Sequence, residues 1–447
     1  MARALDARLL GPDTEIDGAS FDSRRVERHQ LFVPLVAERD GHDFVAAALA
    51  SGASAYLTSR IEVAEALGGT AIFVADTARA LMDAARWARQ QFSASTVVVG
   101  VTGSVGKTST KDLIAAALAP SRRVVANERS FNNEQGLPVT ILNAPEATQV
   151  LVLEMGMRGL GQIDDLCRIA RPHIGVVTRV GEAHTELVGG LEGVARAKGE
   201  LIEALPPQGV AILNVDDPQV WAMRSRSVAP VLSYGESVVA DVRIGTIGLD
   251  QTGCASFTVT TSRGTIDVRL PIPGRHMASN ATAAIAVGEA LGVSLESMAS
   301  GLNRATISER RMQVKKTVRG TLVFDDCYNA NPTSMLAALE TLAQVRKTRR
   351  IAVLGVMAEI ENSASAHTEI AERARELGIE ILAVGTEAYG VTARSVDEVI
   401  EHLQACDDSS AVLVKGSRIA ALERVVDAII PEQETPTWAG DRGWTTN

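Results

Sequence analysis

The sequence predicts an α/β protein of three domains, each built on a mostly parallel sheet, and three observations predict it. Aliphatic residues and alanine dominate while aromatics make up 4%, the composition of helices covering parallel sheets. Short β-branched runs alternate with alanine-rich helical stretches along most of the chain, which is the rhythm of βαβ units. At 447 residues the chain has room for about two to four domains, each with a sizeable core.

The first region, residues 1–94, carries short strands at 31–35 and 71–74 among alanine-rich helices. The second, 95–302, opens on an apolar strand at 96–101, followed by a helix over 109–119 and strands at 123–126, 150–153, 174–178 and 210–215. Between 238 and 270 the period changes to alternation, with a Ser262-Arg263-Gly264 turn, and predicts an antiparallel appendage. The third region, 303–432, places strands at 321–324, 351–354, 379–384 and 411–414. That is a second α/β unit of Rossmann-like type, although no G-x-G-x-x-G follows any of its strands. Residues 433–447 mix Pro, Gly, Thr and charge without apolar period, as a disordered tail does.

Composition also excludes. A net charge of −10 without a basic stripe argues against nucleic acid as partner. The four cysteines, Cys167, Cys254, Cys327 and Cys406, form no C-x-x-C pair, which excludes the usual zinc ribbon and fits a reducing compartment. No leader-like or membrane-spanning apolar run occurs, so a cytoplasmic protein with no membrane insertion is expected.

The segment Thr102-Gly103-Ser104-Val105-Gly106-Lys107-Thr108, with Ser109 opening the helix after it, follows the strand at 96–101 directly. Strand, glycine turn and helix in that order make a phosphate-binding loop. Backbone N–H groups at the helix N-terminus cradle a polyphosphate, Lys107 reaches its outer oxygens, and the Thr108 hydroxyl can take the accompanying Mg²⁺. Val101 stands five positions before Gly106, where the commoner pattern has glycine. The loop is therefore the shorter T-G-x-x-G-K-T form, and a nucleoside triphosphate is the expected ligand.

Other positions leave two readings open. Glu154 ends the strand at 150–153, before Met155-Gly156; it is either a hard oxygen ligand for Mg²⁺ or a solvated strand-end carboxylate. Lys198 lies one turn from Val194 and Ile202, on the apolar side of a helix. It either snorkels to water or is desolvated, with a depressed pKa and a reactive amine that CO₂ could convert to a carbamate. His184 is a metal ligand or an ordinary loop histidine. Asn132 and Asn133, in Asn132-Asn-Glu-Gln-Gly-Leu-Pro138, meet substrate or hold a turn. Asn280 reads well as a helix N-cap. The polar run Asp325-Asp-Cys-Tyr-Asn-Ala-Asn-Pro332 and Lys415-Gly-Ser417 each follow a strand, where anions and ligands sit.

In this order and spacing the motifs resemble the Mur ligase family, ATP-dependent enzymes that join amino acids or peptides to a UDP-linked muramyl precursor. T-G-S-V-G-K-T, N-N-E-Q-G-L-P, E-M-G at Glu154 and A-K-G-E around Lys198 are generic to it. Asp326-Cys-Tyr-Asn-Ala-Asn-Pro-Thr-Ser-Met335, Val414-Lys-Gly-Ser417, Asp22-Ser-Arg24 and Asp40-Gly-His-Asp-Phe44 are most like the branch that adds D-alanyl-D-alanine to UDP-N-acetylmuramoyl-tripeptide. The resemblance covers nearly the whole chain except the tail. It implies a UDP-substrate domain over 1–94, a central ATPase domain over 95–302 and a Rossmann-like domain over 303–432. Departures occur: Met277 stands where relatives often carry Asn, Arg310 where Gly is common, and His29-Gln30 where Gly-Asp or Gly-Glu is usual.

By the same resemblance, Gly103 to Ser109 hold the ATP phosphates, and Thr108 and Glu154 ligate a Mg²⁺ there. Carbamylated Lys198, joined by His184, holds a second Mg²⁺. Lys107, Glu154, His184 and Lys198 form the catalytic set. Asn280 faces adenine, and Arg311 and Asp326 serve phosphate and ribose. Ser23 and Arg24 belong to the uridine side, while Asn132, Asn133, Asn329, Asn331 and Lys415 serve the substrates. The implied reaction passes through an acyl phosphate, in peptidoglycan precursor synthesis, by a monomer. Two alternatives are an amide ligase of the same superfamily acting on another carboxylate, and a non-catalytic NTP-binding regulator.

Overall fold

The computed structural model describes residues 1–128, 131–181, 188–360 and 362–431. They form three sheets in chain order. The first contains β1 (Arg8–Leu10), β2 (Ala19–Ser20), β3 (Leu31–Phe32), β4 (Ala55–Thr58) and β5 (Ala71–Phe73), in the order β1-β5-β4-β3-β2. All its pairs are parallel except the edge strand β1, which the periodicity did not reveal. The strand expected at 31–35 closes after Phe32. Pro34 has no N–H to continue a ladder, and its carbonyl instead accepts from Thr77 Oγ1 at 2.5 Å.

The central sheet holds β6 (Val97–Thr102), β7 (Val124–Ala126), β8 (Val150–Glu154), β9 (Ile174–Val177), β10 (Val210–Asn214), β11 (Val231–Gly235), β12 (Val242–Leu249), β13 (Cys254–Thr261) and β14 (Gly264–Pro273). Its order is β14-β13-β12-β11-β10-β9-β6-β8-β7. The stretch expected to be an antiparallel appendage extends this sheet, and β12 enters it parallel to β11. Asp241 makes that junction, its carboxylate accepting from the N–H and Oγ of Ser233 at 2.8 and 2.6 Å. After β8 the chain crosses over β6 to place β9 on its far side, so the strand order reverses beside β6. Ligands bind in open α/β sheets at the carboxyl ends of strands flanking such a reversal.

The first two sheets share a helix. Asp76 caps Thr77–Gln91 by accepting from the N–H groups of Ala78 and Arg79. Ala80 and Leu81 pack into the core of the first sheet and Ala85 into that of the central one. β6 and β8 are buried almost throughout, and each fully buried Val or Leu contributes about 1.5–3 kcal/mol.

The third sheet contains β15 (Gln313–Lys316), β16 (Leu322–Asp325), β17 (Arg349–Leu354), β18 (Glu380–Ala383) and β19 (Ser410–Lys415), ordered β15-β16-β19-β17-β18. Four strands are parallel, as a Rossmann-like unit requires, and β15 is an antiparallel edge. The chain divides into two compact units. One comprises Met1–Ile247, Ser256–Pro271 and Met277–Ser308; the other comprises Gly248–Ala255, Ile272–His276 and the residues from Glu309 onward. Among the described residues no helix is long and apolar enough to cross a membrane.

Candidate active site

Thr102 ends β6, and four residues later the chain enters the helix Lys107–Leu118. The two loop glycines have positive φ, +152° at Gly103 and +84° at Gly106. A Cβ on Gly103 would lie 1.9 Å from Thr178 Oγ1, and one on Gly106 2.8 Å from Asn280 Oδ1. Glycine is therefore required both for backbone shape and for close approach. The loop is tied from β9's side: Ser104 N–H donates to the Arg179 carbonyl at 2.7 Å, and Thr178 Oγ1 donates to the Val105 carbonyl at 2.6 Å. Lys107 Nζ donates to the Gly103 carbonyl at 2.8 Å, which holds the ammonium over the turn. Thr108 and Ser109 lie buried in the first helical turn, where the helix dipole favours an anion.

Glu154 is buried at the carboxyl end of β8, in register with Val101 of β6. Its surroundings decide between the two readings of this carboxylate. Asn132 Nδ2 donates to Glu154 Oε1 at 2.7 Å, whereas Oε2 is buried with no hydrogen-bond partner. Leaving a buried carboxylate oxygen unpaired costs about 1–3 kcal/mol or more, so the geometry fits a cation ligand better than a structural role. Asn127 holds the strand end: its Oδ1 accepts from Glu154 N–H at 2.8 Å, and its Nδ2 donates to the Glu154 carbonyl at 3.1 Å. Buried Lys111 in turn donates to the Asn127 carbonyl at 2.6 Å. The sequence reading passed over both residues. The available signal was a polar residue directly after β7, and a lysine one turn beyond Lys107 on the buried helix face.

Lys198 is 2% exposed, inside the helix Gly190–Glu203. The snorkelling alternative is thereby removed. Burial pushes its pKa well below the ordinary lysine value, with the Lys107 charge acting the same way and Glu154 opposing. Lys107, Glu154 and Lys198 therefore share one electrostatic neighbourhood. His184, the expected fourth member, lies outside the described residues. Among those described, no three His, Cys, Asp or Glu side chains gather into an ion site; the candidate set here draws on Thr108, Glu154 and Lys198.

Asn280 is not an N-cap. The helix begins at His276 and runs to Ala290, which places Asn280 in the second turn with Oδ1 against Gly106. The paired amides divide their work. Asn132 binds Glu154, and Asn133 Oδ1 accepts from Gly136 N–H at 3.0 Å, at the start of the helix Gly136–Leu142.

In the other unit, β16 and β19 are adjacent, and their ends bring two expected residues together. Lys415 Nζ donates to Asp326 Oδ2 at 2.5 Å and to the Asn329 carbonyl at 3.1 Å. The Arg311 guanidinium lies 4.3 Å over the Tyr328 ring. Arg310, where relatives often have Gly, has φ +60°, the backbone region that glycine enters most easily. Asn331 forms a capping box with Ser334 on the helix Pro332–Gln344, so its side chain already has a structural task.

Arg24 forks onto Asp22 at 2.8 and 2.9 Å while remaining largely exposed, and that bond holds the Asp22 carboxyl below its usual range. Ser23 stands between them, beyond the end of β2. In the Asp40-Gly-His-Asp-Phe44 motif, His42 Nε2 accepts from Ser59 N–H at 3.1 Å, leaving Nδ1–H to donate to Asp40 at 2.6 Å.

The comparisons with known proteins run the length of this architecture. A Mur ligase middle domain model matches residues 101–288, and a Mur ligase, glutamate ligase domain model matches residues 310–433. The UDP-N-acetylmuramoyl-tripeptide–D-alanyl-D-alanine ligase of Mycobacterium tuberculosis is 37% identical over 92% of each chain. The crystal structure of MurF from Acinetobacter baumannii matches with a TM-score of 0.85 at 32% identity, over 96% of this chain and 97% of that one. MurF ligase from Thermotoga maritima, solved in complex with ADP, matches with a TM-score of 0.79 at 28% identity, over 92% and 96%. A likeness that spans all three sheets and takes in the phosphate loop, Glu154 and Lys198 leads to one conclusion: the chain belongs to the Mur ligase family.

Proposed function

We propose that this protein joins D-alanyl-D-alanine to UDP-N-acetylmuramoyl-tripeptide, converting ATP to ADP and phosphate. The observation that carries the reading is the buried, unpaired Glu154 Oε2, one strand away from the phosphate loop, in a chain 37% identical to a ligase of that name. The tripeptide's terminal carboxylate takes the γ-phosphoryl group, and the dipeptide amine then displaces phosphate from the acyl carbon. Two anions must meet in the first step, so positive charge has to be supplied and aligned.

Lys107 and the N–H groups of residues 103–109 neutralise and position the ATP phosphates. Thr108 and Glu154 would hold one Mg²⁺; His184 and a carbamate on Lys198 would hold a second. Bound Mg²⁺ withdraws charge from phosphate oxygens. A neutral Lys198 amine is the form that can add to CO₂: the N–C bond forms as one C=O π pair moves onto oxygen, a proton leaves the nitrogen, and a buried neutral amine becomes an anionic oxygen ligand. Asn132 holds the Glu154 carboxylate and Asn127 the backbone that carries it. We assign Asn280 to adenine and Arg311 and Asp326 to phosphate and ribose. Ser23 and Arg24 are assigned to the uridine side, and Asn133, Asn329, Asn331 and Lys415 to the peptide substrates.

Phosphate release from Mg·ATP with UDP-N-acetylmuramoyl-tripeptide, with and without D-alanyl-D-alanine, tests the reading, with mass spectrometry of the product. Dipeptide-dependent release and a UDP-linked pentapeptide are expected. Release indifferent to the dipeptide, or absent with diaminopimelate- and lysine-containing tripeptides alike, would overturn it. Incubation with ¹³C-bicarbonate should give a carbamate carbon signal in the wild type that Lys198→Arg lacks.

A further inference from the structure

The opposite end of the central sheet carries a feature that the ligation does not use. A cavity of about 730 Å³ opens at the amino ends of β6, β9 and β10, lined among others by Arg89, Phe92, Ser93, Arg171 and His173. The phosphate loop leaves the carboxyl end of β6. Six residues at about 3.3 Å each put the two ends about 20 Å apart.

Arg89, at the end of the helix Thr77–Gln91, is 9% exposed. Its Nε donates to the Ala170 carbonyl at 2.9 Å, a structural tie to the last turn of the helix Gln162–Ala170. That uses one of five guanidinium donors. Among the described residues Arg89 has no ion pair, and its other nitrogens are not among the buried polar atoms lacking a partner. Arg89 is among the residues that line the open cavity. Arg171 follows in the left-handed conformation, φ +50°, and likewise makes no ion pair with a described residue. The acid among the lining residues, Asp164, is taken, since it accepts from Arg168, another lining residue, at 2.7 Å.

His173 completes the group. Its Nδ1 accepts from the Val98 backbone N–H at 3.0 Å, so the proton sits on Nε2 and that nitrogen is a donor. Two guanidinium groups without an ion pair to a described residue, and the imidazole of His173, thus line one cavity. Burial and the Arg171 charge hold the Arg89 pKa below its usual value, and burial and the Arg89 charge do the same for His173.

We propose that this cavity is a second anion site, which takes the phosphate group of a small molecule on Arg89, Arg171 and His173. Three donors from separate backbone positions suit a tetrahedral oxyanion better than a planar carboxylate, and a dianion balances two guanidinium charges. Phe92, Pro172 and Pro206, which also line the cavity, suit an apolar body next to the phosphate.

The test uses the full-length protein saturated with Mg²⁺, a non-hydrolysable ATP analogue and UDP-N-acetylmuramoyl-tripeptide, so that the other phosphate sites are filled. Orthophosphate and phenyl phosphate are titrated calorimetrically, and crystals soaked in selenate are read by anomalous scattering. Saturable binding is expected, weakened about tenfold or more by Arg171→Gly and by Arg89→Lys, with a selenate peak between Arg89 and His173. Arg171→Gly suits the left-handed backbone, and Arg89→Lys keeps the charge and a donor for Ala170; a melting curve verifies that each variant folds. Tighter binding of phenyl phosphate identifies a phosphate monoester as ligand, and equal binding identifies free phosphate. No saturable heat with either probe, heat unchanged in both variants, or a selenate peak found elsewhere alone would overturn the proposal.

Discussion

At the scale of single residues, the role proposed for Lys198 runs against stability. A buried amine costs folding energy because its charged form is desolvated, and its neutral form lacks water. Lys198→Met should raise stability by roughly 1–3 kcal/mol while reducing ATP turnover at least about a hundredfold. Urea midpoints and phosphate release read the two effects separately. His173 provides a pH prediction with a definite sign. Its folded pKa is lowered below 6.5 by burial and by Arg89, and Arg171 faces the same cavity. The unfolded chain therefore binds the proton first, and the contribution of neutral His173 is lost as pH falls below about 6.5. Between pH 7.5 and 5 the urea midpoint of His173→Gln should fall less steeply than that of the wild type.

At the scale of elements, the strand–turn–helix around the phosphate loop depends on a backbone shape that side chains oppose. Gly103→Ala forces a Cβ onto Thr178 Oγ1 and should cost about 1–3 kcal/mol as well as nucleotide binding; chemical denaturation and a fluorescent-nucleotide titration measure both. The helix Pro332–Gln344 offers a cleaner separation of roles. Asn331 caps it, so Asn331→Ala should lose about 1 kcal/mol and Asn331→Asp little. If Asn331 also serves the dipeptide, Asn331→Asp should raise its KM while the melting temperature stays near that of the wild type. An unchanged KM would leave the residue a cap alone.

At the scale of the molecule, the two compact units predict more than one component in the calorimetric unfolding trace. Mg²⁺ with a non-hydrolysable ATP analogue at about one hundred times its Kd should stabilise the component that contains the phosphate loop by about 2.7 kcal/mol. Lys107→Ala should abolish that shift. A shift that survived in the variant would place the nucleotide somewhere other than the loop.

Read alone, the sequence determined what neighbours along the chain decide. Strand, glycines, lysine and threonine from Val97 to Thr108 are contiguous, so the phosphate loop and its helix were legible. The three-sheet α/β layout was legible too, because β-branched runs and alanine-rich helices are local patterns. Lys198 was legible as unusual from helical period, but its burial depends on neighbours that the period does not name. Only the tertiary structure decided the rest. Glu154 has one carboxylate oxygen unpaired, and the contacts of Asn132 with its other oxygen, of Asn127 with its backbone, and of Lys415 with Asp326 join residues from 22 to 89 positions apart. Asn280 shows the limit most clearly. Its local signal reads as a helix cap, yet the helix starts four residues earlier, and the side chain instead abuts a glycine far back in the chain. Local propensity sets which conformations are inexpensive, and packing between distant segments selects among them.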